Sequence, residues 1–228
     1  MKQLSLVAGL ATLLAGAPAA AHTINFDKVE VGYKRFSDSD DDEGGYDAFT
    51  GVNVAASKRF DNYYVEGRYY SVSDSYSFGN IDSQYASAYT FRETLELEIN
   101  QFTLGAGYIH ELDEHSLLDV SFHVGRLSLK GKAEVVEKTP SGYFRQNSSG
   151  SIGENIYRLR GQYQTRVMND IELRAGLGLE RVSDEDSDTE ALFFVGAGYH
   201  FNSMFSVHTE YRHIDDYNTL DVNFRYSF

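Results

Sequence analysis

The chain has 228 residues, a formal net charge of -14 and no cysteine. This charge excludes a nucleic-acid partner, because phosphate binding needs clustered lysine and arginine. The chain contains 17 tyrosines, 15 phenylalanines and 20 glycines but only two prolines, a composition that suits long strands joined by tight turns. A mean hydropathy of -0.40 does not exclude a membrane barrel, because its strands turn half of their residues into a polar lumen.

Residues 1–21 have the pattern of a secretory signal peptide. Lys2 supplies the positive charge, residues 4–14 are nearly all apolar, and residues 17–21 are a run of small residues. The apolar run is too short to remain in a bilayer as a helix. The sequence therefore predicts export, cleavage after residue 21, and one domain over residues 22–228.

Ten segments of the predicted mature chain alternate apolar and polar residues, each close to the ~9–11 residues that a tilted transmembrane strand needs. The first three span about 24–36, 48–60 and 63–72, six more contain the runs 95–108, 118–124, 157–167, 171–180, 193–199 and 205–212, and the last is 219–228. The period of two predicts an all-β fold.

The fourth segment changes phase in its middle. Leu97 and Ile99 lie on one phase, whereas Phe102 and Leu104 lie on the other. A β-bulge near Asn100 would explain the change, because one extra residue exchanges the two faces of a strand. Splitting the segment would give an odd number of strands, and single-chain bacterial barrels have an even number.

The predicted connections alternate between long and short. The short ones are 61–62, 113–116, 169–170 and 202–203, and the longer ones are 37–47, 73–92, 130–155 (the longest irregular region), 183–188 and a shorter one at 215–218. Transmembrane barrels show this pattern, with the short turns on the periplasmic side. The fold predicted is therefore a single antiparallel up-and-down transmembrane β-barrel.

Charged side chains share the polar phase of several predicted strands. A cation on the lipid-facing side would cost ~2–4 kcal/mol at the bilayer midplane, so these side chains are expected in the lumen. They are Arg158, Arg160, Arg166, Glu172, Arg174, Glu180, Glu210, Arg212, Asp221 and Arg225. Acids and bases in comparable numbers favour a paired, hydrated network over a selectivity ring of one sign.

The last strand carries a family resemblance, because it alternates strictly and closes on Phe228. It resembles the ending of bacterial outer-membrane β-barrels. Together with the leader and the loop pattern, the chain is similar to the small outer-membrane β-barrel superfamily, which includes the transmembrane part of outer membrane protein A and the opacity-type and small porin-like proteins. Members commonly have eight strands, so eight is the alternative to ten.

The resemblance implies a location and partners. In that family the terminal segment is read by the barrel-assembly machinery, which would make Phe224, Tyr226 and Phe228 the assembly signal. It further implies a monomer in the outer membrane, in contact with lipid and lipopolysaccharide.

Two families of enzymes built on small barrels have catalytic residues that can be compared with residues 211–216 of this sequence. The segment from Tyr211 to Asp215 resembles the His-x-Ser region of outer-membrane lipid A deacylases, but Asp215 stands where the nucleophilic serine would be, and aspartate does not serve that triad. Omptin proteases use Asp and His at the extracellular rim, where His213, Asp215 and Asp216 are expected, but no matching upstream Asp pair is found. The prediction is a protein without catalytic residues.

Acidic loop residues raise the question of divalent cations, which favour carboxylate oxygens. The candidates are Asp38, Asp40, Asp41, Asp42, Asp184 and Asp186. The spacing departs from a calcium loop, because Glu43 stands at the position that requires glycine. Solvated loops are the favoured interpretation, and the sequence predicts no metal and no cofactor.

Three functions remain open from the sequence. The first is a non-enzymatic surface barrel with an envelope-structural or adhesion-type role. The second is a narrow porin-like channel for small solutes, although long charged side chains in a ten-stranded barrel leave little room. The third is a barrel enzyme acting on lipid A or on peptides.

Overall fold

The computed structural model describes residues 24–38, 48–80, 90–139, 141–168, 170–183 and 189–228. The predicted signal peptide therefore lies outside the described residues. Ten strands are present: β1 (Lys28–Asp38), β2 (Phe49–Phe60), β3 (Tyr63–Asn80), β4 (Thr90–Glu111), β5 (Ser116–Thr139), β6 (Gly142–Val167), β7 (Ile171–Ser183), β8 (Thr189–His200), β9 (Phe205–Ile214) and β10 (Tyr217–Ser227). Among the described residues no helix has the length and hydropathy to cross a membrane.

The strands form one closed antiparallel ring. Each strand pairs with the next along the chain, and β1 also pairs with β10, from Lys28 opposite Ser227 to Asp38 opposite Tyr217. Closure leaves the ring without an edge strand, which is the condition for a sheet to cross a bilayer. The predicted up-and-down barrel is confirmed with ten strands, and the eight-stranded alternative is wrong.

Apolar side chains point outward and charged ones inward. Val195 and Phe224 are 52% and 45% exposed, whereas Arg160 and Arg225 are 4% and 1% exposed. A soluble protein has the opposite arrangement, with ionised groups in water and aliphatic groups inside. The exterior of this barrel therefore suits hydrocarbon.

The barrel has two different rims. The turn rim carries the connections 61–62, 112–115, 168–170 and 201–204 together with Phe228, whose N–H donates to the Asp27 carbonyl at 3.0 Å. The loop rim side carries the other connections. Two of these are tight: Asp215 and Asp216 join β9 to β10, and β6 begins at Gly142, directly opposite Thr139 at the end of β5. The connections that the sequence predicts as short therefore lie on the turn rim, and the connections predicted as longer lie on the loop rim side.

Four strands extend well beyond the length that a bilayer requires. β3, β4, β5 and β6 have 18, 22, 24 and 26 residues, against the ~9–11 residues of a membrane-spanning strand. We call their distal part the upper sheet, comprising residues 73–80, 90–100, 126–139 and 142–155. It rises from the loop rim as a continuation of the barrel wall.

The upper sheet corrects two predictions. Residues 130–155 are not irregular, because β5 and β6 pair continuously from Ser116 opposite Thr165 to Thr139 opposite Gly142. The described parts of the stretch 73–92 are also strand, since β3 continues to Asn80 and β4 begins at Thr90. Both stretches lack an apolar alternation, so only pairing with a neighbouring strand identifies them as β structure.

The predicted bulge near Asn100 is wrong. Asn100 pairs with Ser71 on β3 and with Ser128 on β5 in an uninterrupted register. The strand keeps its phase, but the polarity of its two faces reverses at this level. Below it the outer face carries Phe102, and above it the outer face carries Glu98. The outer medium changes from lipid to water here, so the apolar residues move to the inner face.

Candidate functional site

Side chains fill the lumen at several levels, beginning with an apolar plug at the turn rim. Ile24 and Phe26 fold inside the barrel and pack with Tyr64, Ile109 and Leu117. The Phe26 and Tyr64 rings lie 4.7 Å apart. The sequence assigned residues 24–27 to the first strand, which is wrong, because they turn inward to cover the lumen end.

Above the plug, Arg225 links three strands. Its Nε donates to Glu30 at 2.6 Å and its Nη1 lies 3.3 Å from both oxygens of Glu172. All three side chains are at least 97% buried. β10 and β7 are not neighbours in the ring, so this guanidinium spans the lumen rather than running along its wall.

A second centre forms around Glu210 of β9. Arg212 donates to its carboxylate at 2.6 Å, and Arg174 and Arg160 lie 3.3 and 3.6 Å away. Arg160 also stacks over Phe194, with its guanidinium carbon 4.0 Å from the ring centroid. Three guanidiniums thus share one carboxylate. Removal of the carboxylate or of the guanidiniums would leave the opposite charge buried without a partner.

Further pairs complete the network up to the loop rim. Lys34 donates to Asp221 at 2.9 Å, and Glu66 accepts from Arg68 and contacts His123. Highest in the lumen, Arg158 pairs with Glu180. Tyr217 donates to the other oxygen of Glu180 at 2.8 Å. The ionised groups of the lumen are therefore extensively paired, as burial requires.

The structure places all ten lumen residues named from the sequence on the inner face. Arg166 is the half-buried member, close to the turn rim, where its Nη2 contacts His200. The network has further members that were not predicted from the sequence, namely Lys28, Glu30, Lys34, Glu66, Arg68, Asp119, His123, His200 and His208. They share the polar phase of their strands, and this alternation is the signal in the sequence that identifies them.

Glycines make room for the large lumen side chains. A Cβ at Gly198 would collide with the His208 ring, and one at Gly105 would collide with the His123 ring. In each pair the glycine lies directly opposite the histidine on the neighbouring strand. The lumen is thus packed by setting small residues against large ones, as in a protein core.

One group in the described part of the chain has the spacing of metal ligands. Glu172, His200 and His208 place a donor atom each within 4.8 Å of one another. However, Arg225 contacts the same carboxylate and Arg166 the same His200 ring. Two fixed cations beside the cluster oppose a third, so the cluster is better explained as part of the ion-pair network.

The other residues predicted from the sequence, namely the assembly signal, the enzyme candidates and the cation ligands, lie outside the lumen network. Phe224 and Tyr226 point outward, and the Tyr226 and Phe228 rings are 6.0 Å apart. His213 lies near the loop rim, its Nδ1 2.7 Å from the Asn218 amide oxygen and its ring against Phe193. Of the predicted cation ligands, Asp38 ends β1, and the others, Asp40, Asp41, Asp42, Asp184 and Asp186, lie outside the described residues.

Cross-strand ion pairs lie on the outer face of the upper sheet. Lys130 pairs with Glu98 at 3.3 Å, Lys132 with Glu96 at 3.3 Å and Arg145 with Glu134 at 2.9 Å. Glu98 also accepts from the Asn100 amide at 2.6 Å, and this hydrogen bond lowers the pKa of the Glu98 carboxyl. The outer face of the upper sheet therefore faces water, unlike the wall below it.

A cavity of about 250 Å³ lies at the mouth of the barrel, at the base of the upper sheet. Its lining includes Tyr217 and Glu180 from the upper lumen and Ile99, Leu129 and Ile152 from the inner face of the upper sheet. The cavity is the largest of those described here, compared with about 40 and 10 Å³ for two cavities inside the lumen.

These features define the class of protein. A closed antiparallel ring with an apolar exterior and an ion-paired interior is a transmembrane β-barrel. No protein-family model matches the chain, and no curated protein sequence matches it.

Solved structures with a similar fold are small bacterial outer-membrane β-barrels. The NanC porin shares 10% identity over 88% of this chain and 100% of its own, with a TM-score of 0.46. The attachment invasion locus protein Ail of Yersinia pestis, in complex with sucrose octasulfate, shares 15% over 87% and 97%, with a TM-score of 0.36. The outer membrane protease OmpT of Escherichia coli shares 11% over 89% and 97%, with a TM-score of 0.46. Similarity at this level concerns the fold alone.

Proposed function

We propose that the chain is an outer-membrane barrel with a closed lumen that acts at its extracellular side as a non-enzymatic binding protein of the adhesion type. The observation that carries the proposal is the contrast between the two halves of the molecule. Below the loop rim, side chains fill the interior at successive levels. Above it, the upper sheet projects a polar surface beyond the membrane.

The lumen supports closure rather than conduction. The apolar plug around Ile24 and Phe26 covers one end, and Arg225 and Glu172 cross the middle. The two lumen cavities of about 40 and 10 Å³ have room for water but not for a solute, because a water molecule needs ~10–15 Å³. A barrel of about eight strands is filled by side chains, whereas an open aqueous lumen belongs to about sixteen.

The upper sheet supports a binding role. β6 pairs with β7 only from Asn155 to Val167, so residues 142–154 have no strand partner on that side among the described residues. An unpaired strand edge is a template onto which an extended segment of another protein can add. On the other side, the continuous ladder to β5 holds these residues in strand conformation.

The geometry near the loop rim supports a non-enzymatic role. His213 is engaged with Asn218 and Phe193 on the outer face of β9. Asp215 has a φ of 43° and forms the tight turn to β10. A general base would have to face a substrate site together with its nucleophile, whereas these residues stabilise a turn.

Two experiments test the proposal. Purified protein in planar bilayers should give no reproducible conductance steps, and regular steps would support a channel instead. In the second, residues 132–149 are replaced by Asn-Gly, a two-residue turn that suits a hairpin. Cells expressing this variant should lose adhesion to collagen-coated, mucin-coated or bare polystyrene surfaces, while the barrel keeps its heat-dependent gel mobility. Adhesion equal to that of the unaltered protein would contradict the proposed role.

A further inference from the structure

The cavity at the barrel mouth has an aliphatic wall. The inner face of the upper sheet contributes Ile99 from β4, Leu127 and Leu129 from β5, and Ile152 from β6. Leu129 and Ile152 are 42% and 63% exposed. In the part of the chain that the structure describes, their aliphatic side chains therefore line a cavity instead of a packed core, and covering them would release ordered water at a favourable free energy.

The charged groups of the same cavity are all of one sign. Its lining includes the carboxylates of Glu154, Glu180 and Glu190 but no lysine, arginine or histidine among the described residues. Glu180 and Glu190 lie opposite each other on β7 and β8. In the lumen below, carboxylates and guanidiniums alternate, whereas the lining of this cavity contributes carboxylates. Arg158 offsets the charge of Glu180 at the cavity floor, so the negative charge available to a ligand is assigned to Glu154.

Glu154 differs from the other two carboxylates. Glu180 is held by Arg158 and Tyr217 at the cavity floor. Glu154 lies two inner-facing positions further along β6 towards the upper sheet, opposite Leu127, and the described residues provide its carboxylate with no ion pair or side-chain hydrogen bond. The cavity therefore combines an aliphatic wall with the Glu154 carboxylate. This combination is complementary to a molecule that has an apolar body and a cationic end.

We propose that this cavity binds a small organic cation with an apolar body, such as an aromatic or branched aliphatic amine. The body would lie between Leu129, Ile152 and the Tyr217 ring, and the ammonium group would face Glu154. An aliphatic cavity on the order of 150 Å³ holds benzene, so about 250 Å³ admits one ring with a short side chain.

This inference rests on the proposed extracellular binding role and names a ligand class for it. It places the ligand at the mouth and not on the strand edge of β6. It does not require passage through the barrel, because the Arg158–Glu180 pair and Tyr217 close the cavity floor. The bound cation would therefore enter and leave on the extracellular side.

Three probes with the same phenyl body test the proposal: 2-phenylethylammonium, 2-phenylethanol and 3-phenylpropionate. Their binding to the full chain in lipid nanodiscs is measured by saturation-transfer NMR, with empty nanodiscs as the control for partition into lipid. The ammonium probe should bind about tenfold more tightly than the alcohol, and the propionate should bind more weakly than either. Equal binding of all three probes, or binding equal to that of empty nanodiscs, would overturn the proposal.

Matched variants locate the site. Glu154→Gln should bring the ammonium and the alcohol within about twofold of each other, whereas Glu96→Gln, on the outer face beside Lys132, should leave the ratio unchanged. Leu129→Ala should weaken both probes, and Val136→Ala, on the outer face of the same strand, should weaken neither. If Glu96→Gln and Glu154→Gln act alike, the effect is one of general surface charge and the assignment to the cavity is wrong.

The outcomes also separate this inference from the proposed function. Conductance together with selective ammonium binding would reject the closed lumen but keep the cation site. A silent barrel with intact adhesion and no preference for ammonium would reject the cation site alone.

Discussion

Arg225 of β10 and Glu172 of β7 meet across the lumen, with Nη1 3.3 Å from both carboxylate oxygens. Because both side chains are buried, Arg225→Ala deprives Glu172 and Glu30 of the guanidinium they share. Lys28 still pairs with Glu30 at 3.4 Å, so Glu172, whose other partners among the described residues are histidines, loses most. Loss of one partner of a buried pair costs ~3–5 kcal/mol. We therefore expect the variant to unfold at clearly lower urea concentration in lipid vesicles, followed by tyrosine fluorescence.

The matched control is Arg145→Ala in the upper sheet. Arg145 pairs with Glu134 in water, where an ion pair adds little. This variant should unfold like the unaltered protein. Equal stability of Arg225→Ala and Arg145→Ala would show that the lumen network does not stabilise the barrel.

Gly198→Ala tests the packing of small against large side chains. The added Cβ would meet the ring of His208, and overpacking of a filled interior costs ~1–3 kcal/mol. The midpoint of urea unfolding should fall accordingly. Gly150→Ala, at a position with open space around it, should not lower it.

A double-mutant cycle makes the cause specific. If the clash with the ring is responsible, Gly198→Ala should cost less in a His208→Ala background than alone. Strict additivity of the two substitutions would contradict a direct contact.

Asn100→Ala should raise the pKa of the Glu98 carboxyl. The Asn100 amide donates to Glu98 at 2.6 Å and favours its charged form. Because the folded-state pKa is depressed, this stabilisation is present above the ordinary carboxyl pKa and is lost as the pH falls through the depressed value. Carbon-13 NMR titration of Glu98 measures the midpoint directly.

The control for this titration is Ser128→Ala. Ser128 lies opposite Asn100 on β5, whereas the Glu98 carboxylate is contacted by Asn100 and Lys130, so the Glu98 midpoint should stay depressed. An unchanged midpoint in Asn100→Ala would mean that Lys130, 3.3 Å away, dominates instead.

Single introduced cysteines test which rim of the barrel faces the outside of the cell. The chain has no cysteine of its own, so each label reports one position. Ser149→Cys in the upper sheet should react with an impermeant maleimide on intact cells. Ser203→Cys at the turn rim should react only after the outer membrane is permeabilised. Leu104→Cys, on the lipid-facing side, should react in neither case. Labelling of Ser203→Cys on intact cells would reverse the assigned orientation.

The sequence determined the strand phase, because a period of two is local. The alternation within each strand shows which of its residues face lipid. Arg158, Arg160 and Arg225 could therefore be assigned to the interior without any knowledge of their partners. The number of strands follows from the same pattern. The ion pairs did not follow, since Arg225 and Glu172 lie far apart in the chain and meet only when the ring closes.

Only the tertiary structure shows that the upper sheet exists and which side chains line the cavity at its base. Residues 142–154 have no apolar alternation of their own and become a strand by hydrogen bonding to β5. At Asn100 the sequence showed a change of phase, but a bulge and a change of outer medium produce the same pattern. Only the unbroken register on both sides separates them, because the polarity of a face depends on what surrounds it, and a sequence does not state where the bilayer ends.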